Sequence, residues 1–304
     1  MLSATSTRRF GCSTLQTTVF LERRLRAHLV TRDRLLYDTA YGSRGVAPVG
    51  VAHLYVTLRG MLQVAGGPAL AGPHAYALAE TEFDHVVPGA RTFRSFGAPC
   101  EIVELRVPTR DLLRPIGLDR GPLELPPPVW DAYDELSRTR TQPAVHRLLD
   151  ALAAAGILSR DLTSSVITAE PERFQRIWSV LEPLYGQLAT STSLKQLAAI
   201  ARLSLRQLGR DLHDFTRTFN LYGGGYREAM RVLRLRAAVT LLSAPSCTPS
   251  DVARTVGYSS LDAMGRAFRD AHLPAPSIVQ EAIRYRDFPA ASDAPTADGS
   301  NRHA

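Results

Sequence analysis

The sequence predicts an α+β protein: a β-rich N-terminal barrel or sandwich with following helices, then an all-α domain with two helix-turn-helix units. Three observations lead there. Short β-like runs broken by Gly and Pro fill residues 35–107, and apolar positions at helical spacing take over after Asp111. Near the C-terminus one local pattern occurs twice.

Residues 1–30 read as an N-terminal arm, rich in Ser, Thr and Arg at its start, with a short strand at 16–20 and Arg23, Arg24 and Arg26 beyond it. Residues 31–110 read as a β domain with runs at 49–58, 61–64, 74–80, 92–96 and 101–107. Turn signals separate them, among them Arg59-Gly60, Gly66-Gly67-Pro68, Gly72-Pro73, Pro88-Gly89 and Gly97-Ala98-Pro99. Residues 111–186 turn helical. Val129, Tyr133 and Leu136 share one face, and Val145, Leu148, Leu149, Leu152 and Ile157 form a second stripe. Residues 172–188 make a third helix, which Pro183 is placed to kink. Ala189-Thr-Ser-Thr-Ser193 reads as a hinge; 187–286 is the repeat-bearing domain, and 287–304 a disordered tail.

In the repeat, Ser204-Leu-Arg-Gln-Leu-Gly-Arg-Asp-Leu212 returns 56 residues later as Ser260-Leu-Asp-Ala-Met-Gly-Arg-Ala-Phe268. Leu197-Ala198 and Val252-Ala253 open the short helix before each copy. A helix, a tight turn and a serine-capped second helix is the plan of a helix-turn-helix. Leu205, Leu208 and Leu212, like Leu261, Met264 and Phe268, predict an inward stripe. The opposite faces carry Arg206, Gln207, Arg210 and His213, and Asp262, Arg266 and Arg269. A helix at 226–243, roughly 27 Å long, would join the units and bring their second helices near the ~34 Å of one DNA turn.

Residues 193–273 resemble the double helix-turn-helix domain of AraC/XylS-type transcription regulators. The resemblance rests on Leu197-Ala198, Ser204, Arg206, Leu208 and Arg210, then Arg234-Leu235, Ala238 and Leu241-Leu242, then Ala253, Val256-Gly257-Tyr258, Ser260, Met264, Arg266 and Phe268. Four departures bear on the geometry between the units. Arg202 replaces a turn glycine and Met264 a phenylalanine. The connection at 215–227, with Gly223-Gly224-Gly225, is long, and the closing segment is reduced to Leu273-Pro-Ala-Pro276 with Val279 and Gln280 following. The resemblance implies a cupin-like sensor barrel at 31–110, dimerising helices at 111–186 and a bacterial, cytoplasmic protein. Its implied partners are double-stranded DNA, RNA polymerase, a small-molecule effector and a second copy of the chain.

Charge agrees with DNA. Between Lys195 and Arg286 there are fourteen basic and seven acidic residues, an excess equal to the +7 of the whole chain. Counterion release from phosphate rewards such a concentration. Arg206, Gln207, Arg210, His213, Asp262, Arg266 and Arg269 are the expected readers, and Ser204, Ser259 and Ser260 the expected phosphate-positioning groups. Gly209 and Gly265 stand where family members often place a contacting side chain, so DNA would approach closely there.

No catalytic residue, metal or cofactor is expected, and no membrane association. His28, His53, His74 and His85 lie apart, and Glu80, Glu82, Asp84 and His85 form the one cluster of metal-ligand types. Cys12, Cys100 and Cys247 read as reduced thiols. Tyr55, Tyr76, Arg94 and Phe96 are the candidate lining of an effector pocket. The alternative reading is a protein-binding adaptor that keeps the fold but binds DNA weakly or without sequence preference; a metal-dependent cupin enzyme is a third.

Overall fold

The computed structural model describes residues 1–42, 50–64, 67–83, 91–164, 170–186, 193–219, 221, 226–245 and 247–284. The fold is α+β: antiparallel strands first, helices after them. The strands are β1 (Leu2–Phe10), β2 (Ser13–Leu21), β3 (Arg26–Asp33), β4 (Tyr37–Asp38), β5 (Val51–Val64), β6 (Ala69–Ala71), β7 (His74–Ala79) and β8 (Phe93–Pro108). They form one sheet in the order β1-β2-β3-β8-β5-β6, with β4 forking off β8 and β7 off β5.

Residues 1–30 are therefore not an arm. β1 pairs with β2 along its length, from Leu2 opposite Leu21 to Phe10 opposite Ser13, and β2 pairs with β3. Sequence alternation is weak here because β1 is polar on its outer face, with Thr5, Thr7 and Arg9 exposed, while Ala4 and Ser6 turn inward.

The centre of the sheet is buried on both faces. Helices α1 (Pro127–Thr139), α2 (Gln142–Ala154) and the short α3 (Arg160–Ser164) cover one. There Val129, Tyr133, Leu136, Val145, Leu148 and Leu152 pack with Ala27, Leu29, Leu54, Val103 and Leu105. The stripes read at 129–136 and 145–157 thus serve this core.

The other face meets α4 (Glu172–Gly186) and the helices that follow: α5 (Leu194–Ala201), α6 (Leu205–Thr218), α7 (Tyr226–Leu242), α8 (Pro249–Thr255), α9 (Leu261–Asp270) and α10 (Pro276–Ala282). One core runs from Ala4, Leu15 and Val19 through Phe174, Trp178 and Phe215 to Leu235, Met264 and Phe268. Trp178 donates from Nε1 to the Ser3 carbonyl at 3.2 Å, and Leu36 N–H to Ser243 Oγ at 2.8 Å. The hinge at 189–192, the Gly223-Gly224-Gly225 stretch, Val87-Pro88-Gly89, Asp84, His85 and the tail lie outside the described residues.

Phe215 is fully buried, and its ring centroid lies 4.6 Å from Phe219, 5.8 Å from Phe174 and 6.2 Å from Trp178. Phe215→Ala is expected to cost about 3–5 kcal/mol of stability in urea unfolding. A loss under about 1 kcal/mol would show that this cluster does not hold α4 to α6.

Candidate nucleic-acid interface and an adjoining cavity

Each helix-turn-helix unit is set by its caps. Ser193 Oγ accepts from Gln196 N–H at 3.2 Å while Gln196 Oε1 accepts from Ser193 N–H at 2.8 Å, so a capping box starts α5. The helix stops at Arg202, held left-handed at φ 54°, ψ 43°. Ser204 Oγ then accepts from Gln207 N–H at 3.2 Å to start α6. In the second unit Thr248 caps α8, Gly257 makes the turn at φ +86°, and Ser260 Oγ accepts from Ala263 N–H at 3.1 Å to start α9. Leu208, Leu212, Met264 and Phe268 are buried as the stripe requires. Leu205 and Leu261 are not: they are 55% and 39% exposed. Each is the first residue of its helix, where no facing helix covers it, so the inward stripe begins one turn later.

The outer faces hold the expected readers. Arg206, Gln207, Arg210 and His213 on α6, and Asp262, Arg266 and Arg269 on α9, are exposed, as are Ser204, Ser259 and Ser260 at the helix starts. Arg210 Nε lies 3.7 Å from Asp211 Oδ1. Among the described residues no carboxylate pairs with Arg206, Arg266 or Arg269, so their guanidinium groups are not engaged by ion pairs. A Cβ added at Gly209 or Gly265 would meet nothing within 4 Å. The space outside both helices is open at these matching positions.

A cavity of about 170 Å³ lies where the second sheet face meets α7. Alternation along the strands explains its chemistry. Arg26, His28, Val30 and Arg32 of β3, and Ile102 and Glu104 of β8, share the face opposite Ala27, Leu29, Val103 and Leu105. From α7 come Val232, Leu233, Arg236 and Thr240.

Glu104 is the hub of the polar groups there. Its Oε1 lies 2.5 Å from His53 Nδ1 and 3.7 Å from Arg26 Nη2, and its Oε2 lies 3.7 Å from His28 Nδ1. His53 Nε2 in turn meets Glu80 Oε2 at 2.5 Å, and Arg106 Nη2 lies 3.5 Å from the same oxygen. Burial by itself would raise the Glu104 carboxyl, but the neighbouring His28, the hydrogen bond from His53 and the charge of Arg26 outweigh it and hold it well below the usual carboxylate range. His28 is pushed down by burial, with Arg26 and Arg236 adding to the effect against the pull of Glu104.

Of the four residues expected to line a pocket, Tyr55 lines this cavity, bonded through its hydroxyl to Ser95 Oγ at 3.0 Å. Tyr76 pairs opposite Tyr55 and is buried in a neighbouring core. Arg94 donates from Nε to Asp38 at 2.6 Å, and Phe96 is buried in the core shared with the helices. Glu80 and Glu82 are not on a strand. They occupy a single 3₁₀ turn, Glu80–Phe83, and Glu82 accepts from Ala79 N–H and Leu118 N–H at 2.6 Å each. Among the described residues no group of three or more His, Cys, Asp or Glu is placed to hold a metal.

No family model and no curated protein matches the chain. Solved structures do resemble it. A DNA-binding transcriptional dual regulator from Escherichia coli K-12 aligns at 20% identity over 37% of this chain and 99% of that one, with TM-score 0.29. ToxT from Vibrio cholerae aligns at 8% identity over 86% and 99%, with TM-score 0.38. The AraC-like transcriptional activator CuxR aligns at 13% identity over 74% and 80%, with TM-score 0.28. At such low TM-scores these likenesses carry no functional argument. No helix among the described residues is long and apolar enough to cross a membrane.

Sequence reasoning missed Arg32, Glu104 and Arg236. The signal lies in β3, where Arg26, His28, Val30 and Arg32 alternate onto one face, but an arm ending at residue 30 divides that strand.

Glu104→Gln is expected to cost about 3 kcal/mol or more at neutral pH, because His53, His28 and Arg26 lose a shared carboxylate. The sign with pH follows from the lowered carboxyl. Its contribution is fully present above the unfolded value and is lost as pH falls through the folded one. The gap between wild type and variant in urea unfolding should therefore close below about pH 4.5. A gap that stays constant down to about pH 3 contradicts the role given to this carboxylate.

Proposed function

We propose that the chain is a sequence-specific DNA-binding transcription regulator of the AraC type. On this reading α6 and α9 enter successive major-groove segments on one face of the DNA, and a signal at the N-terminal domain controls the outcome. The observation that carries the reading is the matched pair of serine-capped helices, each presenting an exposed Arg one residue after an unobstructed Gly. Concentration of the net positive charge in the same segment supports it. Arg206, Arg210 and Arg266 are assigned to guanine edges, and Asp262 to cytosine or to orienting an arginine. Gln207, His213 and Arg269 complete the face; Ser204, Ser259 and Ser260 position phosphates. The chain acts in the cytoplasm as a homodimer and has no catalytic role.

Selection of duplexes from a random pool by the full-length protein tests this. A preferred site should emerge, and Arg210→Ala and Arg266→Ala should each lose about 1–3 kcal/mol of discrimination at separate base positions. If only Arg210→Ala matters, the second unit is structural. If no sequence is preferred, the adaptor reading replaces this one.

Gly209→Ala separates stability from recognition. A glycine inside a helix costs roughly 0.5–1 kcal/mol relative to alanine, and the added methyl meets no protein atom. The variant should unfold at higher urea yet bind the selected site several-fold more weakly. Unchanged affinity would show that DNA does not approach the α6 backbone there.

A further inference from the structure

Among the described residues the exposed large apolar side chains are Leu113, Ile200, Leu205, Leu261 and Ile278. Single exposed apolar residues are ordinary on a protein surface. Leu205 and Leu261 differ from the others because they hold the same place in both units, 56 residues apart like the repeat itself. Local geometry puts them there. Ser204 and Ser260 are extended cap residues whose hydroxyls accept from the backbone N–H three residues on, so the residue after each serine opens its helix. Leu208 and Met264, three positions further, are the first buried residues of α6 and α9. Leu203, ahead of the first cap, also packs on that core. The core therefore makes no use of Leu205 or Leu261. Helical side chains lean back toward the start of their helix, so each leucine projects over the beginning of α6 or α9, beside the exposed Arg206 or Asp262. Four residues on, where a side chain would cover it, stands Gly209 or Gly265, and a Cβ there would meet nothing within 4 Å.

An apolar side chain can read one feature of a base pair in the major groove. Leucine neither donates nor accepts a hydrogen bond, and the apolar group on a base edge there is the C5-methyl of thymine. The first residues of a recognition helix are those that reach base edges. We propose that Leu205 and Leu261 are specificity-determining residues, each packing on the methyl group of a thymine next to the base assigned to the arginine of its own unit. This rests on the regulator reading and deepens it by naming the class of DNA. The site carries one methyl-read thymine in each of two successive major-groove segments, about 10 base pairs apart. Gly209 and Gly265 serve the same contact, because the missing side chain lets the floor of the groove come up to the leucine one turn away. Arginine thus selects by hydrogen bonds and leucine by an apolar fit, at neighbouring positions of one helix.

The test uses the full-length protein and the duplex it selects from a random pool, with each thymidine in turn replaced by deoxyuridine. That change keeps the base pair and removes only the methyl group. Wild type should bind about fourfold more weakly when the methyl is lost at one position in each segment, as expected for one methyl-sized group returned to water. Leu205→Ala should erase the difference between thymidine and deoxyuridine at the first position and leave it at the second; Leu261→Ala should do the reverse. Leu205→Met, which keeps an apolar tip, should retain both differences, and so should Ile200→Ala, an exposed change elsewhere. All four variants should melt with wild type, because these side chains lie outside the core. A merely structural role for either leucine would move the melting temperature and not the ratio. A preferred site at which no thymine methyl matters overturns the proposal and leaves the regulator reading in place. Methyl sensitivity that survives both leucine variants does the same. If both variants bind every duplex like wild type, the leucine pair is a surface for protein contact and the proposal falls. If no sequence is preferred, the regulator reading fails first and takes the thymine contacts with it.

Discussion

The centre of the sheet is covered on both sides, and much of the structure follows from that constraint. β3, β5 and β8 give Ala27, Leu29, Leu54, Val103 and Leu105 to α1 and α2, a face that needs only apolar packing. Their other face carries Arg26, His28, His53, Glu104 and Arg106, almost all of them buried. Charges taken out of water must find partners there, and Glu104 and Glu80 supply them for His53, Arg26 and Arg106. Such a face also fixes register. A slip of one residue would turn the arginines and histidines onto the apolar face of α1 and α2.

Legibility of the sequence followed the kind of information each segment holds. The two helix-turn-helix units were plain because repetition repeats every local determinant: small Ala198 and Ala253 at the helix crossings, the caps at Ser204 and Ser260, and the inward Leu208 and Met264. The stripes of α1 and α2 were visible because a helix facing an apolar sheet must be amphipathic. Of the first three strands only the stretch 16–20, inside β2, was. β1 is polar on its outer face, and β3 alternates Arg26, His28 and Arg32 with Ala27 and Leu29, a pattern that resembles a solvated strand. Only the presence of α7 across that face turns solvated positions into buried ones. The Glu104 network was illegible for the same reason: His53, Glu80 and Glu104 lie on three different elements, and no spacing in the chain links them.

The two units are not equivalent in their surroundings. α6 is clamped by α4, through Phe174 and Trp178 against Phe215, and α4 in turn is tied to β1 by the Trp178–Ser3 hydrogen bond. α9 packs instead on α7, α8 and α10. The first unit also holds a non-glycine residue, Arg202, in left-handed geometry where the second uses Gly257. A side chain in that conformation costs roughly 1–2 kcal/mol, which the packing of α5 and α6 must offset. The first unit is thus bound to the N-terminal domain and strained locally. The second has a glycine at that turn, holds its own left-handed non-glycine residue, His272, just past α9, and is linked to that domain through α7.

That linkage makes α7 the element shared by the cavity wall and the second unit. α7 presents Val232, Leu233, Arg236 and Thr240 to the cavity, and through Leu235, Ala238 and Leu242 it belongs to the core shared with α8 and α9. Most of its residues after Leu235 are buried, so it cannot bend freely to accommodate a new neighbour on one side. Any change of packing along the cavity face would instead move the helix as a body, and with it the placement of α9 relative to α6. On the regulator reading proposed above, α6 and α9 would fit successive grooves only at a fixed separation and tilt, so a small displacement of α7 would change how well both fit at once. On that reading linkage would run in both directions: DNA that selects one placement of α7 would also select one state of the cavity beside it.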